Sequence, residues 1–152
     1  MRFLLSVLAV VFGTAAFADE QSTIQINDPI MFKAFENARA AGGYMTIDNT
    51  GDEDDLLIGI EIEDRMSMIH ESREENGVVR MLHVDALAIP AGDQITFKPG
   101  GFHVMLMGLQ PGELPVGETV EATLIFDRAG AVPVTFEVVD KDAVSADQKM
   151  TH

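Results

Sequence analysis

The stretch HESREENGVVRM, residues 70–81, contains the strongest turn signal in the chain. Asn76 and Gly77, near its middle, are a pair that the two-residue type I′ turn favours, because both central positions of that turn need a positive φ angle. The residues on either side then form the two strands of an antiparallel hairpin. This stretch therefore predicts β structure, and the remaining sequence shows whether that structure extends to the whole chain.

Apolar and polar residues alternate with period two in several other segments, as they do in half-buried strands. In LLIGIEIE, from residue 56, we expect Ile58, Ile60 and Ile62 to face one way. The segments EATLIFD and VTFEVV supply further inward-facing candidates: Ala122, Leu124, Phe126, Val134, Phe136 and Val138. Segments rich in Gly, Pro and Asp separate the strands, which predicts an all-β antiparallel sandwich or barrel. The one helical candidate is FENARAA, where a single turn would not change the class.

The two ends of the chain differ from this pattern. Residues 1–18 have a positive start, an apolar run and an A-x-A site, which predicts a secretory signal peptide cleaved after Ala18. We expect no membrane span after cleavage, since no later segment is apolar enough. Residues 19–140 are then the folded domain, exported to the periplasm. Residues 141–152 lose the alternation and predict a flexible polar tail, in which Met150 and His152 are weak metal-ligand candidates.

Composition excludes several classes of protein. Without residues 1–18, nine basic residues remain against 25 acidic ones, a formal charge of −16, which repels phosphate and argues against nucleic-acid binding. The chain has no cysteine, so it forms no disulfide and no Cys-ligated blue-copper site. No nucleophile–base pair or carboxylate-pair motif stands out, and a chain with four histidines in all argues against a multicopper site. We therefore expect a protein that is not an enzyme.

Histidine and methionine carry the chemistry that remains. The hairpin register places His70 and Met81 as diagonal neighbours on one face, with Cβ atoms about 7–8 Å apart, and His83 opposite His70. His103 and Met105 are two residues apart, so on a strand they share a face. The four side chains converge on one ion if the second strand lies beside the hairpin. Otherwise they are ordinary strand and core residues.

The donor types select the metal. Thioether sulfur is soft and suits Cu(I), whereas zinc usually recruits cysteine, histidine or carboxylate, and calcium and magnesium require oxygen. Four neutral ligands also leave the charge of the ion uncompensated, which penalises Cu(II) more than Cu(I). The other methionines, Met66, Met68 and Met107, are interpreted as packing residues, with Met107 also a candidate accessory ligand.

The spacing of these residues resembles a known signature. His70, Met81, His103 and Met105 match the H-x10-M-x21-H-x-M pattern of the PCu(A)C family of periplasmic copper chaperones. Three further segments are similar to that family: GGYMTIDNTGDEDDLLIG, IPAGDQITFKPGGFHVMLMGL and PVGETVEATLIFDRAG. The resemblance covers roughly residues 22–139.

The resemblance implies a cupredoxin-like Greek-key β-sandwich that holds Cu(I) through those four residues. It also implies a destination, the copper-A centre of cytochrome c oxidase, and Sco-type thiol proteins as co-workers. The chain departs from some members by having Glu71 directly after the first histidine and only Met150 and His152 in its tail. His83 lies outside the signature and is either a spare ligand or a surface residue.

Three other functions stay open at this point. Copper storage or tolerance needs the same site as delivery, so the sequence does not separate them. A structural β-sandwich with incidental histidines and methionines is the second. A copper enzyme is the third, but it would need an open coordination position and ligands for both oxidation states, of which the sequence offers no sign.

Overall fold

The computed structural model of the protein describes residues 23–33 and 35–142, and strands dominate the described part. The ten strands, in chain order, are β1 (Ile24–Lys33), β2 (Ala40–Asn49), β3 (Asp55–Glu61), β4 (Met66–Glu75), β5 (Val78–His83), β6 (Leu87–Ile89), β7 (Gln94–Phe97), β8 (Phe102–Met107), β9 (Thr119–Phe126) and β10 (Gly130–Val138). The predicted all-β class is confirmed. Residues 35–38 of FENARAA form a single turn closed by a hydrogen bond from the Ala38 amide to the Phe35 carbonyl, and its last two residues begin β2.

All ten strands belong to one curled sheet, in the order β5-β4-β8-β2-β1-β10-β9-β3-β6, with β7 also paired to β2. The first half of β2 pairs with β8 and its second half with β7, so two strands share one edge of β2. Neighbouring strands run antiparallel except β1 and β10, which are parallel. The predicted antiparallel pairing therefore holds for every neighbouring pair of strands except β1 and β10, the first and last strands, which run in the same direction.

The core lies on the concave side of the sheet and is almost entirely aliphatic and aromatic. Val134, Phe136 and Val138 of β10 are buried while Thr135 and Glu137 are exposed, as the alternation predicted. The inward side chains of β9 also follow the prediction: Ala122, Leu124 and Phe126 are buried. Burial of each such side chain contributes about 1.5–3 kcal/mol, so these strands hold the sheet in its curled form.

The alternation in β3 is interrupted, and one expectation about it is wrong. Ile60 and Ile62 are buried, but Ile58 is 44% exposed and Leu57 is fully buried instead. The register explains the difference: Leu57 pairs with Phe126 and Gly59 with Ile125, so β3 has one residue more than β9 over this interval. Such a β-bulge reverses the faces of the residues before it.

The predicted hairpin is confirmed in turn type and in register. Asn76 and Gly77 have φ angles of 55° and 76°, which suit a type I′ turn. Ser72 pairs with Met81 and His70 with His83. The turn chemistry therefore fixes which face of β4 and β5 each side chain occupies.

The loop between β8 and β9 is fastened to the start of β4 by a bidentate ion pair. The two terminal guanidinium nitrogens of Arg65 donate to the Glu113 carboxylate, at 2.8 and 2.9 Å, and the backbone amide of Gln110 also donates to it. These contacts lower the pKa of Glu113 to about 2, with the hydrogen bonds from Arg65 the largest cause. The loop is thereby held against the strand that begins with Met66.

The signal peptide proposed for residues 1–18 lies outside the described residues, as do Met150, His152 and most of the proposed tail. Within the described residues, no helix has the length and apolarity needed to cross a membrane.

We predict that the Arg65–Glu113 pair gives a measurable pH dependence to stability. A carboxyl group whose pKa is lower in the folded than in the unfolded state stabilises the fold above its unfolded pKa, and this contribution falls as the pH drops toward the folded pKa. Glu113→Gln should therefore be less stable than the wild type at pH 7, and the difference should shrink between pH 4.5 and 2. Urea unfolding midpoints at pH 7, 4, 3 and 2 measure it.

Glu118→Gln, at an exposed position in the same loop, is the matched control and should follow the wild type. A Glu113→Gln deficit that stays constant down to pH 2 would contradict the role assigned to the ion pair.

Candidate metal centre

Three histidines form a row across the outer face of β5, β4 and β8. His70 on β4 pairs with His83 on one side and with His103 on the other. The ring centroids of His70 and His83 are 5.7 Å apart, and those of His70 and His103 are 5.9 Å apart. The sequence predicted the first of these neighbours, and the pairing of β4 with β8 supplies the second.

A nitrogen and a sulfur face each other at the centre of this row. The Nδ1 atom of His70 lies 3.2 Å from the Sδ atom of Met105. An ion held at about 2.0 Å by nitrogen and about 2.3 Å by sulfur, the lengths known for tetrahedral zinc sites, separates two such donors by about 3.5 Å. The two atoms are therefore close to the spacing at which both could bind one ion.

His103 is the buried member of the row, with 6% of its surface exposed. Its Nδ1–H donates a hydrogen bond of 3.2 Å to the Gly101 carbonyl. Because a carbonyl only accepts, the ring proton lies on Nδ1 and the lone pair on Nε2. A backbone carbonyl commonly orients metal-binding histidines in this way.

Tyr44 flanks His103 on the side away from His70, and the sequence did not predict this contact. The two rings are 6.4 Å apart, and Phe32 stacks on Tyr44 at 5.1 Å. Burial raises the pKa of the Tyr44 phenol, so the ring stays neutral. Gly42 makes room for Tyr44, because a Cβ on this residue would lie 2.8 Å from its hydroxyl oxygen.

Met81 is the exposed member of the predicted set. Its surface is 59% exposed, and it lies on β5 opposite the small residue Ser72, diagonal to His70. His83, the accessory candidate, is half exposed and its Nε2 is 3.2 Å from an oxygen of Asp85. Met107, the other accessory candidate, lies opposite Met66, four residue pairs away from the His70–His103 pair along the strands.

The electrostatics of this face favour neutral imidazole at His70. Partial burial lowers the pKa of His70, and the neighbouring His103 and His83 lower it further. A neutral ring keeps a lone pair for a ligand, whereas a protonated ring has none. Among the residues that the structure describes, no three His, Asp or Glu side chains are arranged to hold a metal ion. A metal at this face therefore depends on the thioethers.

We predict that Tyr44 shields His103 from solvent. Diethyl pyrocarbonate, which modifies accessible neutral imidazole, should modify the half-exposed His83 well before His103 in the wild type. In Tyr44→Ala the modification of His103 should accelerate several-fold, because the covering ring is removed, while that of His83 should not change. Peptide mass spectrometry at successive times measures both rates. Equal rates for the two histidines in the wild type would contradict the shielding.

Comparison with known proteins gives a family and a set of structural relatives. The family described as "LpqE-like", a lipoprotein family, matches residues 24–138, which span all ten strands. A curated relative, "Putative lipoprotein Lxx21020" of Leifsonia xyli subsp. xyli, is 32% identical over 118 residues, covering 73% of this chain and 70% of that protein.

Two solved structures add copper-containing examples. The "Copper-bound PCuAC domain from PmoF2" is 31% identical with a TM-score of 0.63, covering 77% of this chain and 92% of that chain. The "Solution structure of CuI-DR1885 from Deinococcus Radiodurans" is 29% identical with a TM-score of 0.57, covering 83% of each chain. Both agree with the cupredoxin-like fold that the sequence resemblance implied. By the match over residues 24–138, this chain belongs to the LpqE-like family.

Proposed function

We propose that this protein is an exported Cu(I) metallochaperone. It holds one copper ion through His70, Met81, His103 and Met105 and delivers it in the periplasm. The observation that carries the proposal is the 3.2 Å approach of the His70 Nδ1 and Met105 Sδ atoms beside the buried His103. An imidazole nitrogen and a thioether sulfur at this separation form the beginning of a soft-metal site.

The donor set fits Cu(I) better than the other common ions. Two thioethers and two imidazoles are neutral and soft, and nothing in the set neutralises a dication as cysteine thiolates do in zinc sites. The lowered pKa of His70 keeps its ring in the ligating form. The excess of acidic residues on the chain attracts cations, which supports capture of the ion from solution.

The unequal burial of the ligands supports a carrier role. His103 is buried and oriented by Gly101, whereas Met81 is 59% exposed. An acceptor thiol or thioether could displace Met81 first and the inner ligands afterwards, so the ion would never be released free. Such stepwise ligand exchange suits delivery from one protein to another.

The structural relatives support copper as the cargo. One is a copper-bound PCuAC domain and another is described as a CuI form, and each is about 30% identical to this chain. The resemblance to PCu(A)C chaperones leads us to propose a recipient and a partner as well. The recipient is the copper-A subunit of cytochrome c oxidase, and a Sco-type thiol protein acts with the carrier.

We predict one tight Cu(I) site that depends on the inner ligands. In anaerobic titration against a competing Cu(I) chelator, the wild type should bind one equivalent. The double variant His103→Ala, Met105→Leu should lose roughly 100-fold or more in affinity, equivalent to about 2.7 kcal/mol. His83→Ala is the matched control, because it removes a histidine from the same row without removing a proposed ligand.

Unchanged affinity in the double variant would refute the site. A loss as large in His83→Ala as in the double variant would instead make His83 a ligand. Circular dichroism of each apo variant shows whether the fold is retained.

We predict that delivery limits oxidase assembly when copper is scarce. Cells lacking the protein should load the copper-A centre poorly at limiting copper, and the wild-type gene should restore loading while the His103→Ala, Met105→Leu gene should not. The near-infrared absorbance of the copper-A centre measures it. Normal loading in the deletion strain, together with lower copper tolerance, would favour storage over delivery and leave the copper site intact.

A further inference from the structure

Four methionines form two cross-strand pairs beside the histidine row. Met68 on β4 pairs with Met105 on β8, and Met66 pairs with Met107 one step further along the same two strands. All four lie on the outer face, because their chain neighbours Ile69, Val104 and Leu106 are buried in the core and successive side chains of a strand point to opposite faces. The methionine pairs thus continue the line that begins at His70 and His103.

The exposure of Met66 argues against a packing role for this side chain. A methionine that packs in a core stabilises the fold by burying its apolar surface. Met66 is instead 61% exposed. The chain has methionines of the packing kind elsewhere: Met31 and Met45 are 0% and 3% exposed. The outer methionines therefore differ from the core ones: Met66 is exposed, and Met68, Met105 and Met107 are each partly exposed.

The geometry lets three of them share one ion. Residues paired across two strands have Cβ atoms about 4.5–5.5 Å apart, and diagonal neighbours are about 7–8 Å apart, within reach of long side chains. Met66 pairs with Met107, and Met68 is diagonal to Met107. The adjacent residue on β2 is Ala40, opposite Met107, whose small side chain leaves space.

Two further features keep this end of the face accessible to a cation. Strand β5 pairs only with residues 70–75 of β4, so it does not cover Met66 or Met68. Arg65, which directly precedes Met66, is paired with the Glu113 carboxylate by two hydrogen bonds. The charge of this guanidinium is therefore compensated, which lowers its repulsion of a cation bound beside Met66.

We propose that Met66, Met68 and Met107 form a second Cu(I) site, weaker than the first and adjacent to it along the β4–β8 seam. Its ligands are three neutral thioethers, a donor set that selects soft monovalent ions. It is weaker because it lacks imidazole. The site depends only on the positions of these three residues on β4 and β8. Its description as second and weaker rests on the proposed carrier function.

The test follows each methionine separately by NMR of the full chain labelled with ¹³C at the methionine methyl groups. The Met150→Leu background removes the C-terminal thioether. Ag(I), a soft monovalent ion that does not change oxidation state, is added stepwise, and the titration is repeated anaerobically with Cu(I). The first equivalent should shift the methyl signals of Met81 and Met105. The second should shift those of Met66, Met68 and Met107, while the buried Met31 and Met45 stay unchanged and serve as internal controls.

The double variant Met66→Leu, Met107→Leu keeps side-chain volume and apolar character, so it should fold normally. It should weaken binding of the second equivalent at least tenfold and alter the first less than twofold. The proposal is overturned if the second equivalent leaves the Met66, Met68 and Met107 signals in place, or if the double variant binds it as the wild type does. Failure of the proposed carrier site looks different, since the Met81 and Met105 signals would then not respond to the first equivalent.

Discussion

The register of β4 between β5 and β8 is the constraint on which the candidate site depends. His70 has one histidine opposite it on each side, and a shift of a single residue would turn its side chain into the core. The same shift would expose Ile69, which is 2% exposed in the native register. Burial of the core side chains therefore fixes the positions of the outer donors, although no donor contributes to the core.

The part of this arrangement that the sequence predicted is the part encoded locally. Asn76 and Gly77 require a tight turn, and a tight turn sets the register of the hairpin within a few residues. The alternation in β9 and β10 similarly needs no knowledge of distant strands. The prediction from alternation was wrong at Ile58 because β3 contains an extra residue there. The alternation in the sequence does not reveal such a bulge, which changes the face that the residues before it occupy.

The remaining contacts join segments that are far apart in the chain. His70 meets Met105 because β4 pairs with β8, and no turn or periodicity links these strands. The cover of His103 by Tyr44 depends in addition on the position of β2 beside β8. The sequence assigned His70, Met81, His103 and Met105 to one site only because their spacing matches the signature of the family that the chain resembles. From the residues alone, a packing role was an equal alternative.

The structure also separates two tasks that a copper carrier has to combine. A site that binds tightly needs ligands held in place, and His103 is held by Gly101 on one side and by Tyr44 on the other. A site that releases its ion needs a ligand that can leave, and Met81 lies on an exposed strand whose six residues are all open to solvent. The exposure of the side chains increases across three adjacent strands, from the buried His103 on β8 through His70 on β4 to the exposed Met81 on β5. If the proposed ligand set is correct, an acceptor that approached from the β5 side would meet Met81 before His103. Ion transfer would then have a direction without any movement of the sheet.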